Sequence, residues 1–437
     1  MSAAAAKEDG KWENGRVSGA VYHGGRQHMQ LLDQAYSLFS LSNPLHTDIW
    51  PSVTQYEAEG ELISMTARLL DGGDANVCGS LSSGGTESII LATKSHLQYY
   101  RQHGITAPEV VACVSAHAAI EKACALMGIK LIKVPMDPKT YKVSVRAIRR
   151  SLSVNTIMIY ASAPSFPQGI IDPIAQLSDL ALRHGCGLHV DCCLGGFFLP
   201  FARRAAAAGA AWAPAIEPFD FGVPGVTSMS CDTHKYGYAS KGTSVVLYRS
   251  KELRAQQYFC YPDWTGGLYV TPTLAGSRPG GLVAACWASM VSLGEEGYSQ
   301  GVEAIVEARH KVAKGVADTP DLFVLGDPQA MIVCFGSKTL NIYRVGDAMT
   351  AKGWSLNALQ NPACLHLCLT LRTANNTQQF LQDLNESAEI ARKEQLAAAA
   401  SGAKDEGTAA MYGMAGSLPS GPLRAIMTTY ADVVYKA

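Results

Sequence analysis

The sequence is short of charge. Asp, Glu, Lys and Arg make up 17% of its 437 residues, and their near balance leaves a formal net charge of −1. No basic field speaks for nucleic acid, and no block of like charges marks an acidic or basic tail. Long apolar runs are missing too: nowhere do ~18 apolar residues stand uninterrupted, so no segment is expected to span a membrane. The opening MSAAAAKEDGKWENG lacks an apolar stretch of signal-peptide length. Nucleic acid is thereby excluded as a partner, no transmembrane segment is expected in this chain, and a soluble protein in a cytoplasmic, reducing setting is expected.

What is present suits a large, well-buried enzyme: 48% of residues are hydrophobic. The length allows two domains, since single cores stop growing near ~250–300 residues. Twelve cysteines, several in apolar settings such as Cys113, Cys124 and Cys286, read as free thiols rather than a disulfide framework.

Apolar, β-branched-rich runs read as buried strands: EVVACVS (109–115), KLIKVPM (130–136), TIMIYASAP (156–164), GLHVDCCLG (187–195), GVTSMS (225–230) and TSVVLYRS (243–250). Between them lie helical spacings, as in TESIILATKSHLQYYRQHG, where Ile90, Lys94, Leu97 and Tyr100 share a face and Gly104 marks the stop. Strands alternating with helices predict an α/β fold, a mostly parallel sheet with helices on both faces. After about residue 300 the pattern changes. A helix over 300–318, short strands and the helix TQQFLQDLNESAEIARKEQL predict a smaller α+β domain. The Gly- and Ala-rich stretch 397–422 reads as a mobile excursion, and RRAAAAGAAWAPA (203–215) as a surface insertion without chemical consequence.

Ligands of such sheets bind beyond the carboxyl ends of the strands. Four places there carry reactive or anion-binding groups. SLSSGGTES (80–88) precedes a helix; Gly84 and Gly85 allow close approach, and the helix N-terminus suits a phosphate. An ordinary glycine turn with Ser83 or Thr86 as cap would look the same. His117 follows EVVACVS and could stack on a planar ligand, or be a hydrogen-bonded histidine like many others. Asp191 ends an apolar strand, where a carboxylate is costly without a cationic or N–H partner; a protonated ring nitrogen, a metal ion or a helix cap would each serve. Lys235, in SCDTHKYGYASKG, is delivered to a half-buried strand end, where desolvation is expected to lower its pKa and free the amine for a Schiff base. The alternative is a solvated lysine. Together the four supply what pyridoxal 5'-phosphate needs: a phosphate anchor, a ring cover, a partner for the ring nitrogen and an amine for the aldehyde.

With these stretches in place, the chain resembles the fold-type-I pyridoxal-phosphate enzymes of the group II decarboxylase branch, and within it the sphingosine-1-phosphate lyases. The likeness runs from VSGAVY (17–22) and NPLHTDIWP (43–51) through SSGGTES, AHAAIEKA, LHVDCCLGGF and VTSMSCDTHKYGYASKGTSVVLY. It continues to DWTGGLYVTPTLAGSRPGG (263–281), YRVGDAMTAKGWSLN (343–357) and AMYGMAG (410–416). It implies Lys235 as the Schiff-base lysine, Asp191 as partner of the pyridine nitrogen and His117 as the stacking ring. Gly85, Thr86 and His234 would hold the cofactor phosphate, with Gly276 and Ser277 reaching in from the neighbouring subunit of a homodimer with shared active sites. Tyr22, His46 and Lys241 would grip a phosphate on the substrate, with Tyr412 nearby.

The resemblance further implies residues 1–50 as an N-terminal segment contributing to the active site and dimer, 51–305 as the large cofactor-binding domain and 306–437 as the small domain. The implied reaction is retro-aldol cleavage of phosphorylated sphingoid bases to a long-chain aldehyde and phosphoethanolamine. An amino-acid decarboxylase on the same scaffold is the alternative. Membrane-bound relatives carry an N-terminal transmembrane anchor in the endoplasmic reticulum without counterpart here, so either a naturally soluble form or one cut free of an anchor is expected. Cys364, His366 and Cys368 place three soft ligands on one strand face, but zinc needs a fourth, and Leu365, Leu367, Leu369 and Leu371 opposite favour a core strand.

Overall fold

Runs that are apolar on both faces must be covered on both faces, and they form the middle of a seven-stranded sheet. The computed structural model describes residues 12–57, 61–73, 76–401, 407–417 and 419–435. Its large sheet contains β1 (Cys78–Ser82), β2 (Glu109–Cys113), β3 (Lys130–Val134), β4 (Thr156–Ser162), β5 (Gly187–Asp191), β6 (Ser228–Cys231) and β7 (Ser244–Tyr248). They lie in the order β1-β7-β6-β5-β4-β2-β3. The pairs β3–β2, β2–β4, β4–β5 and β5–β6 are parallel, whereas β7 runs antiparallel to both β6 and β1. Parallel neighbours need a crossover, and helices supply it between β2 and β6. From β6 to β7 the chain instead makes a loop, residues 232–243, and returns beside itself. That loop carries Lys235 and Lys241.

A hairpin of β8 (Phe259–Tyr261) and β9 (Tyr269–Thr271) follows. The helix Gly280–Asp318 then joins the two sheets. It starts earlier than its sequence pattern suggests and bends at Gly294, whose φ of 57° suits glycine. Beyond it β10 (Leu322–Val324), β11 (Ile332–Ser337), β12 (Asn357–Leu359) and β13 (Cys364–Cys368) form an antiparallel sheet ordered β10-β11-β13-β12. The N-terminal segment is stitched to this sheet. Gly19 N–H donates to the Cys368 carbonyl at 2.8 Å, and Cys368 N–H donates to Ser18 Oγ at 2.8 Å.

Two expectations change. Of the stretch 397–422, Ala397–Ser401 ends a helix, Gly407–Ser417 forms another and Ser420 opens a third, so no open excursion is seen there; 402–406 and 418 lie outside the described residues. Arg203 is no bystander: it pairs with Asp71 and with buried Asp220, at 2.5 and 2.7 Å, pinning the helix Leu199–Ala207 to the body. His366, on buried β13, is held through Nδ1 by the Pro167 carbonyl at 2.8 Å. Among the described residues no helix is long and apolar enough to cross a membrane.

Candidate active site

Because β7 alone is reversed, the carboxyl ends of β1, β2, β4, β5 and β6 meet at one edge. There they border a cavity of about 380 Å³ lined by Ser83–Glu87, His117, Phe166, Asp191, Cys193, Asp232, His234 and Lys235. The four sequence features thus share one cavity.

At the end of β1, Ser83 donates from its N–H and hydroxyl to Glu87 Oε2, at 2.7 and 2.6 Å. No side chain caps the helix Gly85–Gln102 at Gly84. Its first N–H groups are left to an anion in the cavity. Only glycine fits at 85, where a Cβ would lie 2.7 Å from Cys193 Sγ and 2.9 Å from both Asp232 carboxylate oxygens. His117 caps the helix Ala118–Met127, its Nδ1 accepting from Ala119 N–H at 3.1 Å. The cap fixes the ring, which meets Phe166 edge-on at 6.3 Å.

Asp191 ends β5, buried. It accepts from the Tyr160 hydroxyl, from Cys193 N–H at 3.0 Å and from Ser230 Oγ at 3.3 Å. Burial would raise its carboxyl, yet the Tyr160 and Cys193 donors and nearby His117 outweigh it and hold the group below its ordinary value. An ionised acid at this depth is a partner for a cation.

The lysine departs from expectation. Lys235 Nζ lies 2.9 Å from Asp232 Oδ2. Burial pushes its ammonium down, as the sequence suggests, but the Asp232 carboxylate leads the opposing charges and the net direction is up. The resting amine is protonated, not free. His234 Nδ1 and Asp232 Oδ1 are buried without a hydrogen-bond partner among the described residues. A phosphate would satisfy the histidine nitrogen. Uncapped helix, glycine cradle, orphaned donor, ionised acid and paired lysine fit pyridoxal phosphate.

A second cavity, also about 380 Å³, shares His234 with the first and is lined by Tyr22, His23, Met29, Leu32, Tyr238 and Lys241. Lys241 Nζ sits 4.8 Å from the centre of the Tyr22 ring, and burial lowers its ammonium. Tyr22 and Lys241 are therefore brought together. His46, Gly276, Ser277 and Tyr412 line neither cavity. The His46 ring lies 6.2 Å from Trp50, Ser277 takes a hydrogen bond from Asn43 at 3.1 Å, and Tyr412 stacks on Tyr343 while donating to the Ala358 carbonyl at 3.0 Å. Asp232, Cys193, Phe166 and Tyr160 were not singled out in the sequence. Only Asp232 left a signal, an acid three residues before the lysine.

A family model described as the pyridoxal-dependent decarboxylase conserved domain matches residues 75–338. A sphingosine-1-phosphate lyase of Arabidopsis thaliana is 47% identical over 98% of this chain and 77% of its own length. A solved sphingosine-1-phosphate lyase of Burkholderia pseudomallei superposes with a TM-score of 0.86 at 42% identity, covering 91% of both chains. Lactobacillus brevis glutamate decarboxylase, at 19% identity and a TM-score of 0.72 over 89% of this chain and 92% of its own, shares the fold alone. Matched along nearly its whole length by these lyases, the chain belongs to the pyridoxal-dependent decarboxylase family, on its sphingosine-1-phosphate lyase branch.

Proposed function

We propose that this enzyme cleaves phosphorylated sphingoid bases between the carbon bearing the amine and the carbon bearing the hydroxyl, releasing a long-chain aldehyde and phosphoethanolamine. The observation that carries this reading is the Lys241–Tyr22 pair in a cavity joined through His234 to the cofactor cavity. It offers a second anion site besides the one at Gly85, and a decarboxylase of free amino acids needs no second phosphate site.

Pyridoxal phosphate, when bound, supplies an aldehyde that takes the substrate amine and a ring that accepts the electron pair of the broken bond. In this reading Lys235 holds the aldehyde, Asp191 holds a proton on the ring nitrogen and His117 covers the ring. Gly85, Thr86 and His234 hold its phosphate. Asp232 keeps a proton on Lys235 Nζ, ready to be given up within the site. Tyr22, its phenol pushed well up by burial, acts as a hydrogen-bond donor to the substrate phosphate rather than as a base. Lys241 adds the charge.

The functional unit in this reading is a homodimer. His46 and Ser277 lie on one rim, tied by Asn43, which gives a hydrogen bond to Ser277 and takes one from Arg278 N–H at 3.1 Å. On the segments that flank these residues in the chain, Leu38, Leu41, Ile49, Trp264, Leu268 and Leu274 stand exposed. A second copy covering these side chains would bring His46, Gly276 and Ser277 to its partner's cavity.

The test is a product assay with phosphorylated sphingosine beside free amino acids. Aldehyde and phosphoethanolamine are expected, without carbon dioxide, and Lys241→Ala should cut turnover of the phosphorylated base at least about tenfold, the scale of one charge-assisted contact. Carbon dioxide as the product, or aldehyde formation untouched in Lys241→Ala, refutes the reading.

A further inference from the structure

We propose that Tyr160, Ser230 and His189 are positioning residues that hold Asp191 ionised and aimed into the cavity, so that a cationic ring nitrogen is retained there. This rests on the role given to Asp191 above. In the pairing of β4 with β5, Tyr160 lies opposite His189 and Ser162 opposite Asp191, so the Tyr160 hydroxyl reaches the carboxylate along the diagonal. On the other side, β6 sets Ser230 directly opposite Asp191. Its Oγ is 3.3 Å from Asp191 Oδ1 and 3.2 Å from His189 Nε2, while His189 Nδ1 is 2.8 Å from Ser228 Oγ.

Hydrogen counting fixes the directions. An ionised Asp191 only accepts, so Ser230 gives its hydrogen to the carboxylate. The Ser230 oxygen then accepts from His189, whose hydrogen sits on Nε2, and Nδ1 accepts from Ser228. Every donor in the row points toward the acid, and aligned donors strengthen one another. His189 is no competing cation, because burial pushes its ring down to about 3. Burial also keeps the Tyr160 phenol and the thiols of Cys192, Cys193 and Cys231 protonated. The charges that reach Asp191 are those of His117 on one side and of Lys235 with its partner Asp232 on the other. Polar side chains inside a fully buried sheet are costly unless they serve one another, and the group this row serves is Asp191.

Pyridoxal phosphate is stripped from the enzyme and titrated back, following tryptophan fluorescence, from mildly acidic to mildly alkaline pH. Wild-type Asp191, held below its ordinary value, stays ionised throughout this range, so its acid limb lies beneath it. Without its nearest donor Asp191 protonates more readily. In Tyr160→Phe the acid limb should move to higher pH, with affinity at neutral pH weakened by about tenfold. In an Asp191→Asn background the same substitution should cost nothing further. An acid limb unmoved in Tyr160→Phe, or an equal loss in both backgrounds, overturns the proposal. If Asp191→Asn binds as tightly as wild type, the role of Asp191 itself fails, and this inference with it. Should Tyr160→Phe not fold, Ser230→Ala carries the same test, with the same two outcomes.

Discussion

Lys235 must lose a proton before its amine can attack a carbonyl, and its neighbours decide at what pH that happens. The residue was legible in DTHKYG; its charge state was not. Burial, the only influence visible when an apolar run precedes a lysine, points down, and the carboxylate that reverses it comes from a turn whose shape the sequence does not show. Asp232 sits three residues earlier with its oxygen 2.9 Å from Nζ. Replacing it tests the balance. With Asp232→Asn the burial contribution to Lys235 stands unopposed by its nearest anion, so the ammonium should titrate at lower pH. In wild type the rate at which the stripped protein takes up pyridoxal phosphate should climb with pH throughout the neutral and alkaline range. In Asp232→Asn it should start higher and level off earlier, by stopped-flow absorbance. Coincident profiles would show that Asp232 does not govern the lysine.

Elements were legible where their pattern is set by burial alone. β4 and β5 are buried on both faces and stand where the runs TIMIYASAP and GLHVDCCLG place them, trimmed at the ends. β1 was hidden. Its residues CGSLS are small and half polar, and it is a strand because β7 offers it a full antiparallel ladder and the sheet buries it. The site was legible for a related reason: glycines, a histidine, an acid and a lysine each follow a strand, whereas Tyr160 is hidden inside one. The hairpin β8–β9 shows the converse case, an element that the single chain leaves uncovered. Leu268, at the end of its loop, is 88% exposed, and Leu41 in the N-terminal segment 90%. If a second copy covers them, Leu268→Glu puts a charge into the contact and should shift sedimentation from a two-chain to a one-chain particle. Its cofactor affinity should fall as well, because the same contact would bring Ser277 to its partner's cavity. A variant that still sediments as two chains moves the interface elsewhere.

At the scale of the molecule, the core hides three histidines that no role in the reaction requires to be charged. Burial pushes His96 and His366 down to about 4 and His189 to about 3. An unfolded histidine titrates near 6.5. Between that value and the folded ones the unfolded chain binds more protons than the native one, so stability is full above about 6.5 and drains away as pH falls. Across that window His96 and His366 each account for a loss of about 3 kcal/mol and His189 for about 5. Asp172 opposes them: burial raises its carboxyl to about 6, so its ionisation costs stability above that pH and the cost is relieved on acidification. One carboxyl set against three imidazoles leaves a net loss in acid. The melting temperature should therefore fall steeply below about pH 6.5. His366→Asn keeps a donor for the Pro167 carbonyl, which the ring now satisfies at 2.8 Å, but removes one titrating group. Its melting curve should start lower and decline with a visibly shallower slope. A slope equal to wild type would mean that the buried rings do not set the acid limit of this fold.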